Sequence, residues 1–151
     1  MSGLAITRDD GLGPDALALI GQSEAELAAL YPPEVRYAFS PDELRDAGVA
    51  FIVGHQDAKP VACGGVALLD GYGELKRIFV ARECRGQGHA ETVVAALEEI
   101  ARGAGLPLMR LETGLASPEA IRFYTRIGYD RIGPFGTYEE NGSSVYMEKT
   151  L

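Results

Sequence analysis

Apolar and polar positions change their spacing several times along the chain, and each change marks an element. Residues 4–7 form a short apolar run that predicts a strand, and Asp10-Gly11 with Gly13-Pro14 marks a turn and a helix start. Over residues 14–31, Leu17, Ile20, Leu27 and Leu30 fall near one helical face. Pro32-Pro33 ends that helix, because proline lacks an N–H and restricts the residue before it. Ser40-Pro41-Asp42-Glu43 reads as a cap and a short helix that stops near Gly48. Residues 49–53 and 61–69 are two strands joined by a polar turn over 54–60, and residues 74–80 are a fourth strand after the Asp70-Gly71 turn.

Helical spacing is clearest in residues 86–104. Ala90, Val93, Val94, Leu97, Ile100, Ala101 and Ala104 follow it, while Glu91, Glu98, Glu99 and Arg102 fall elsewhere. Gly103 and Gly105 stop this helix. Residues 108–113 are a fifth strand. Ser117-Pro118-Glu119 then opens a helix with serine as N-cap, which carries Ala120, Ile121, Tyr124 and Ile127 on one side and ends at Gly128. Residues 129–132 and 144–150 read as two closing strands. The order is an antiparallel meander, a β-α-β unit, then α-β-β, which is a mixed α/β (α+β) architecture. No repeat or linker interrupts it, so one domain over residues 1–151 is expected.

Composition narrows the class. The chain has 151 residues, 46% apolar and 24% charged, which suits an ordered domain with a real core. Cys63 and Cys84 form no CxxC or Cys/His pattern, so neither a metal site nor a disulfide framework is expected, and a cytoplasmic setting is the simplest. No apolar run approaches the roughly 18 residues of a membrane span. Residues 1–10 lack the basic and apolar regions of a signal peptide. The net charge of −8 offers no overall attraction for nucleic acid and suits a cationic acceptor such as an amine.

The candidate chemistry lies in strand, turn and helix over residues 74–104. The turn reads Arg85-Gly86-Gln87-Gly88-His89-Ala90. Glycines let the backbone turn sharply and approach a ligand closely. The free N–H groups of the following helix start then hold an anion, helped by about half a unit of positive dipole charge. The turn lacks the lysine of a P-loop and the third glycine of a dinucleotide fingerprint, so ATP and NAD are poor fits.

Arg85-x-x-Gly88-x-Ala90 resembles the Q/R-x-x-G-x-G/A pattern of the GNAT acetyltransferases. Leu111-Glu112-Thr113-Gly114, Ala120-Ile121-Arg122-Phe123-Tyr124 and Ile127-Gly128-Tyr129 resemble the family's second conserved block. The resemblance covers roughly residues 49–149. It implies a GNAT fold: a mixed sheet of about seven strands, antiparallel in its first half, with strands four and five parallel, flanked by about four helices. It implies acetyl-CoA as co-substrate, its pyrophosphate on Arg85, Gly86, Gln87, Gly88, His89 and Ala90, its pantetheine arm along Ile78, Phe79 and Val80. Arg85 ranks above Arg82 as a phosphate contact. Ser117 stands where many members carry a cofactor-contacting asparagine. His89 reads as solvent-facing, with a phosphate contact as the alternative.

The same resemblance implies N-acetylation of a primary amine on a small molecule or peptide by direct attack. Its alternative is a non-catalytic acyl-CoA-binding module. Tyr124 is the expected acid for the departing thiolate, and it also touches the cofactor. A phenol has a pKa near 10 and stays protonated at neutral pH. Glu74 is the expected base, or else a surface strand carboxylate paired with Lys76 or Arg77; Glu112 on the facing strand is its rival, and solvent is a third possibility. The N–H of Val80 or a neighbour is the expected oxyanion donor. The acceptor is expected against residues 27–36, including Tyr31, and against Glu112, Phe135 and Tyr138. A homodimer is a further expectation from the family.

Overall fold

The computed structural model describes residues 3–33 and 40–151. In chain order the elements are β1 (Ala5–Arg8), α1 (Pro14–Leu30), α2 (Pro41–Asp46), β2 (Ala50–Gln56), β3 (Lys59–Leu68), β4 (Gly73–Val80), a 3-10 turn (Arg82–Cys84), α3 (His89–Gly103), β5 (Leu108–Gly114), α4 (Pro118–Arg126), β6 (Asp130–Ile132) and β7 (Ser144–Thr150). The seven strands form one sheet in the order β1-β2-β3-β4-β5-β7-β6. Only β4 and β5 pair in parallel. The expected architecture is therefore the observed one. No helix among the described residues is long and apolar enough to cross a membrane.

The central strands are buried on both faces, which explains their unbroken apolar runs. Along β2, Ala50 and Ile52 join the core under α3, while Phe51 and Val53 join the core under α1. Opposite faces for successive residues follow from the pleat. Val93, Val94, Leu97 and Ala101 of α3 fill the first core. Leu12, Ala16, Leu19, Ile20 and Leu44 fill the second.

Local chemistry sets the ends. Ser40 and Glu43 form a full capping box on α2. The polar turn expected over 54–60 is tighter. β2 runs on to Gln56 and β3 resumes at Lys59, with only Asp57 and Ala58 between them, both at positive φ as a right-twisted hairpin demands. The inward face of α1 also differs from expectation. Ala16, Leu19, Ile20 and Ser23 are buried, and Leu17 and Leu30 are exposed. Ile20 is inward as expected, and Leu19 and Ala16 share its face in place of Leu17 and Leu30. Glu98 likewise sits inside, not on the outer face of α3. Its carboxylate accepts hydrogen bonds from Tyr129 Oη at 2.8 Å and Lys149 Nζ at 3.0 Å.

Candidate active site

The parallel pair holds for two positions only, Gly73 with Met109 and Glu74 with Arg110. Beyond them β4 and β5 separate. β5 meanwhile stays zipped to β7 over its whole length, from Leu108–Thr150 to Gly114–Ser144. An irregularity in the β3–β4 ladder accompanies the divergence, and Arg77 there has φ +57°. Such a bulge bends a strand and redirects its edge.

The wedge between the two strands is a cavity of about 170 Å³. β4 lines it with Glu74, Lys76, Arg77 and Ile78, and β5 with Leu111, Glu112, Thr113 and Gly114. Leu27 and Tyr31 from α1, Ser117 and Tyr124 from α4 and its entry, and Tyr138 and Ser143 from the loop before β7 complete the wall. Tyr31 lies directly over Gly114, where a Cβ would come within 1.8 Å of the tyrosine oxygen. Only glycine admits that approach. Tyr31 Oη and Ser117 Oγ are 3.1 Å apart, so the serine occupies the N-cap position of α4 but spends its hydroxyl across the cavity mouth. Of the expected acceptor segment 27–36, residues 34–36 lie outside the described residues.

Two carboxylates face this space and are treated differently. Glu74 is 5% exposed, and its Oε2 accepts from Lys76 Nζ at 2.8 Å and Tyr138 Oη at 2.6 Å. The ammonium also contacts Tyr138 Oη at 3.2 Å. Glu112 has no cation in contact among the described residues, and its Oε2 accepts from Ser144 Oγ at 2.7 Å. Burial raises its pKa to about 7, moderated by the Ser144 hydrogen bond and the charge of Lys76 and pushed further by Glu74. The acid expected from sequence is also on the wall. Tyr124 is buried against Phe123 and Tyr129, and burial raises its phenol pKa. Its Oη has no hydrogen-bond partner among the described residues, so its proton is available to whatever enters the cavity.

The glycine loop has the conformation an anion site needs. Gly86 and Gly88 have φ of +81° and +82°, and an added Cβ at either would project into open space. Among the described residues, the N–H groups of residues 86–91 have no acceptor. Unpaired donors converging at a helix start are what an anion requires. Of the three expected pantetheine residues, Ile78 lines the cavity, whereas Phe79 packs in the core under α1 and Val80 lies beyond the wall. Ala81 N donates to Val61 O, which makes Ala62 and Val80 a non-hydrogen-bonded pair and turns the Val80 N–H and C=O to the open edge of β4.

Three expected residues sit differently. His89 is 1% exposed, and neither ring nitrogen has a hydrogen-bond partner among the described residues. Its side chain points into the core, not to solvent, because it stands four and eight residues before Val93 and Leu97 on the buried stripe of α3. Its backbone N–H remains in the loop. Arg85 binds the Val80 carbonyl through Nε at 2.9 Å and Glu26 through a bidentate contact at 2.9 Å, so it braces β4 against α1. Phe135 is not on the cavity wall. It packs edge-on against Tyr72, Tyr138 and Tyr146 and supports Tyr138 from behind. Cys63 is buried, with its pKa pushed up to about 12, and neither cysteine lines the cavity. Lys76 pairs with Glu74 as the ion-pair alternative expected, but the pair is buried and not on the surface. Sequence reasoning missed Asn141 and Ser144, which lie far along the chain from Glu112.

Residues 18–129 match the Acetyltransferase (GNAT) family. This chain belongs to that family. It is 33% identical over its full length to the IAA acetyltransferase of Azospirillum brasilense, which it also covers completely. A Klebsiella pneumoniae structure assigned as an acyl-CoA N-acyltransferase superposes with a TM-score of 0.84 at 31% identity, covering 100% of this chain and 99% of that one. The fold is shared more distantly with the PaiA N-acetyltransferase of Thermoplasma acidophilum, solved with coenzyme A, at a TM-score of 0.77 and 16% identity, with 98% and 99% covered. The chain is thus an acetyltransferase of the GNAT fold, and its wedge lies where two central strands part.

Proposed function

We propose that this enzyme moves an acetyl group from acetyl-CoA to a primary amine of a small molecule or peptide by direct attack within a ternary complex. The observation that carries the reading is the wedge itself. One protonated phenol without a partner, one carboxyl with a pKa of about 7 and one open strand edge all border the same small space.

The chemistry that acetyl-CoA supplies when bound is an activated thioester. The chain's own groups do the rest. The N–H groups of residues 86–91 bind the pyrophosphate, and the exposed edge of β4 receives the pantetheine amides. The Val80 N–H polarises the thioester carbonyl and stabilises charge that develops on its oxygen. An alkyl ammonium has a pKa near 10.4 and must lose a proton before it attacks. Glu112 accepts that proton, because a base works best with a pKa near the operating pH. Tyr124 donates to the departing sulfur.

Between the two candidate carboxylates, the geometry favours Glu112 as base. Glu74 is already committed to a lysine and a tyrosine, and taking up a proton would forfeit that ion pair. Glu74 is therefore assigned the role of fixing Lys76 and Tyr138 on the acceptor side. Absence of a cysteine from the wall supports direct attack over an acetyl-cysteine intermediate. The relative named for IAA acetylation makes that compound a sensible member of the acceptor panel.

The test is thiol release from acetyl-CoA with the purified protein and a panel of primary amines, beside calorimetry with acetyl-CoA, CoA and ATP. Acetyl-CoA binding, no ATP binding and amine-dependent thiol release are expected. Acetyl-CoA binding without release for any acceptor would leave only the binding part of the reading.

A further inference from the structure

We propose that Asn141 and Ser144 form a one-way hydrogen-bond relay that positions Glu112, fixing one carboxylate oxygen and leaving the other to receive the acceptor's proton. The proposal rests on Glu112 being the base for its catalytic meaning, but the relay itself stands on geometry.

The direction of each bond is forced. Asn141 Oδ1 accepts from the backbone N–H of Ser143 and of Ser144, each at 2.8 Å. Two obligate donors on one side identify that atom as the oxygen, so the amide nitrogen lies on the other side. Asn141 Nδ2 then donates to Ser144 Oγ at 3.1 Å. An amide nitrogen cannot accept, so the serine oxygen receives this bond and has one proton left to give. That proton goes to Glu112 Oε2 at 2.7 Å. Ser144 is 5% exposed, so solvent offers its hydroxyl little alternative.

Reversal is costly. Were Glu112 to hold its proton on Oε2, Ser144 would have to accept from both neighbours, and its own buried hydrogen would lose its partner. A proton arriving at Glu112 is thus confined to Oε1, which has no partner among the described residues on a side chain that lines the cavity. The relay also favours the carboxylate over the acid, and so opposes the upward pull of burial. The other charged or titratable groups on the same wall are Glu74, Lys76 and Arg77 of β4, Tyr31 at the end of α1, Tyr124 of α4 and Tyr138. All of them remain in the variants below.

The experiment follows the Glu112 carboxyl carbon by NMR across pH in the full-length protein, for the native sequence, Ser144→Ala and Ser144→Thr, with kcat/KM measured over the same range. Hydrogen bonds to charged groups are strong enough that losing one shifts a carboxyl by about one pH unit. Ser144→Ala is expected to raise the Glu112 titration by about that amount, and Ser144→Thr to return it. Asn141→Ala is expected to shift it the same way by less. A Glu112 titration unmoved by Ser144→Ala overturns the relay, whatever the rates do. If Glu112 is also the base, kcat/KM of Ser144→Ala falls about tenfold at pH 6 and converges on the native value near pH 9. A carboxyl that shifts while the rate profile does not would keep the relay and remove Glu112 as base.

Discussion

Two glutamates, Glu98 buried and Glu112 half-buried, show how differently this fold treats a carboxylate removed from solvent. Glu98, inside α3, is met by Lys149 and by the Tyr129 hydroxyl. Glu112, on the cavity wall, is met by a serine hydroxyl. A half-buried carboxylate with no cation in contact among the described residues is costly to ionise, and the cost appears as a pKa raised to about 7. Glu74 falls on the Glu98 side of the comparison, since it too has one lysine and one tyrosine. The fold thus builds the same carboxylate–lysine–tyrosine cluster twice and withholds the lysine from the one glutamate that faces the wedge most freely. Burial raises the Glu112 pKa, and no lysine in contact among the described residues offsets it.

The comparison breaks most sharply at Glu112 itself. Glu112→Gln should lower kcat/KM by about 10²–10⁴-fold, the usual contribution of a general base. It should also stabilise the protein above neutral pH. The folded pKa lies above the unfolded one, so the native protein loses stability as pH rises from about 4.5 to about 7, by roughly 2–3 kcal/mol at most. Thermal melts at pH 5 and pH 8 test this, with the stabilisation expected only at the higher pH. Glu98→Gln should do the reverse. Removing one partner of a buried ion pair costs about 3 kcal/mol, while kcat/KM at permissive temperature should stay within a few-fold. Urea unfolding beside the thiol assay separates the two.

Smaller effects sharpen the picture. On the proposed mechanism, in which the phenol protonates the departing sulfur, Tyr124→Phe should lower kcat by about 10²-fold with little change in acetyl-CoA affinity. Calorimetry and turnover on one sample distinguish this from a packing defect, which would weaken both. His89→Leu should raise stability by about 1–3 kcal/mol, since two buried ring nitrogens lack partners. A lower melting temperature for this variant would mean that a bound water or ligand satisfies them.

Much of the fold was legible before the structure. The helical stripe of α3, the proline-led start of α4 and the runs of β5 and β7 each followed from spacing, because those elements bury one well-defined face. The glycine loop was legible because its conformation needs φ values that only glycine adopts readily. Several residues that line the wedge were named from the sequence, among them Glu74, Glu112, Ser117 and Tyr124, but the contacts that distinguish them were not. Glu74 and Glu112 lie on neighbouring strands and look alike as letters. Their difference depends on Lys76 and Tyr138 reaching one, and on Ser144, some thirty residues on in the chain, reaching the other. The wedge needed a positive φ at Arg77, a residue that gives no sequence warning of it. His89 was misplaced for a simpler reason: its polarity outweighed its position, although its spacing to Val93 and Leu97 put it inside.

The measurement that bears most directly on the central claim is the pH dependence of kcat/KM, compared across the native protein, Glu112→Gln and Glu74→Gln. The base must be deprotonated to act, so kcat/KM of the native enzyme should rise with pH through a midpoint of about 7. That rise should vanish in Glu112→Gln and persist, on a lower plateau, in Glu74→Gln. A rise that survives in Glu112→Gln and disappears in Glu74→Gln would contradict the account and return the proton to the glutamate on β4.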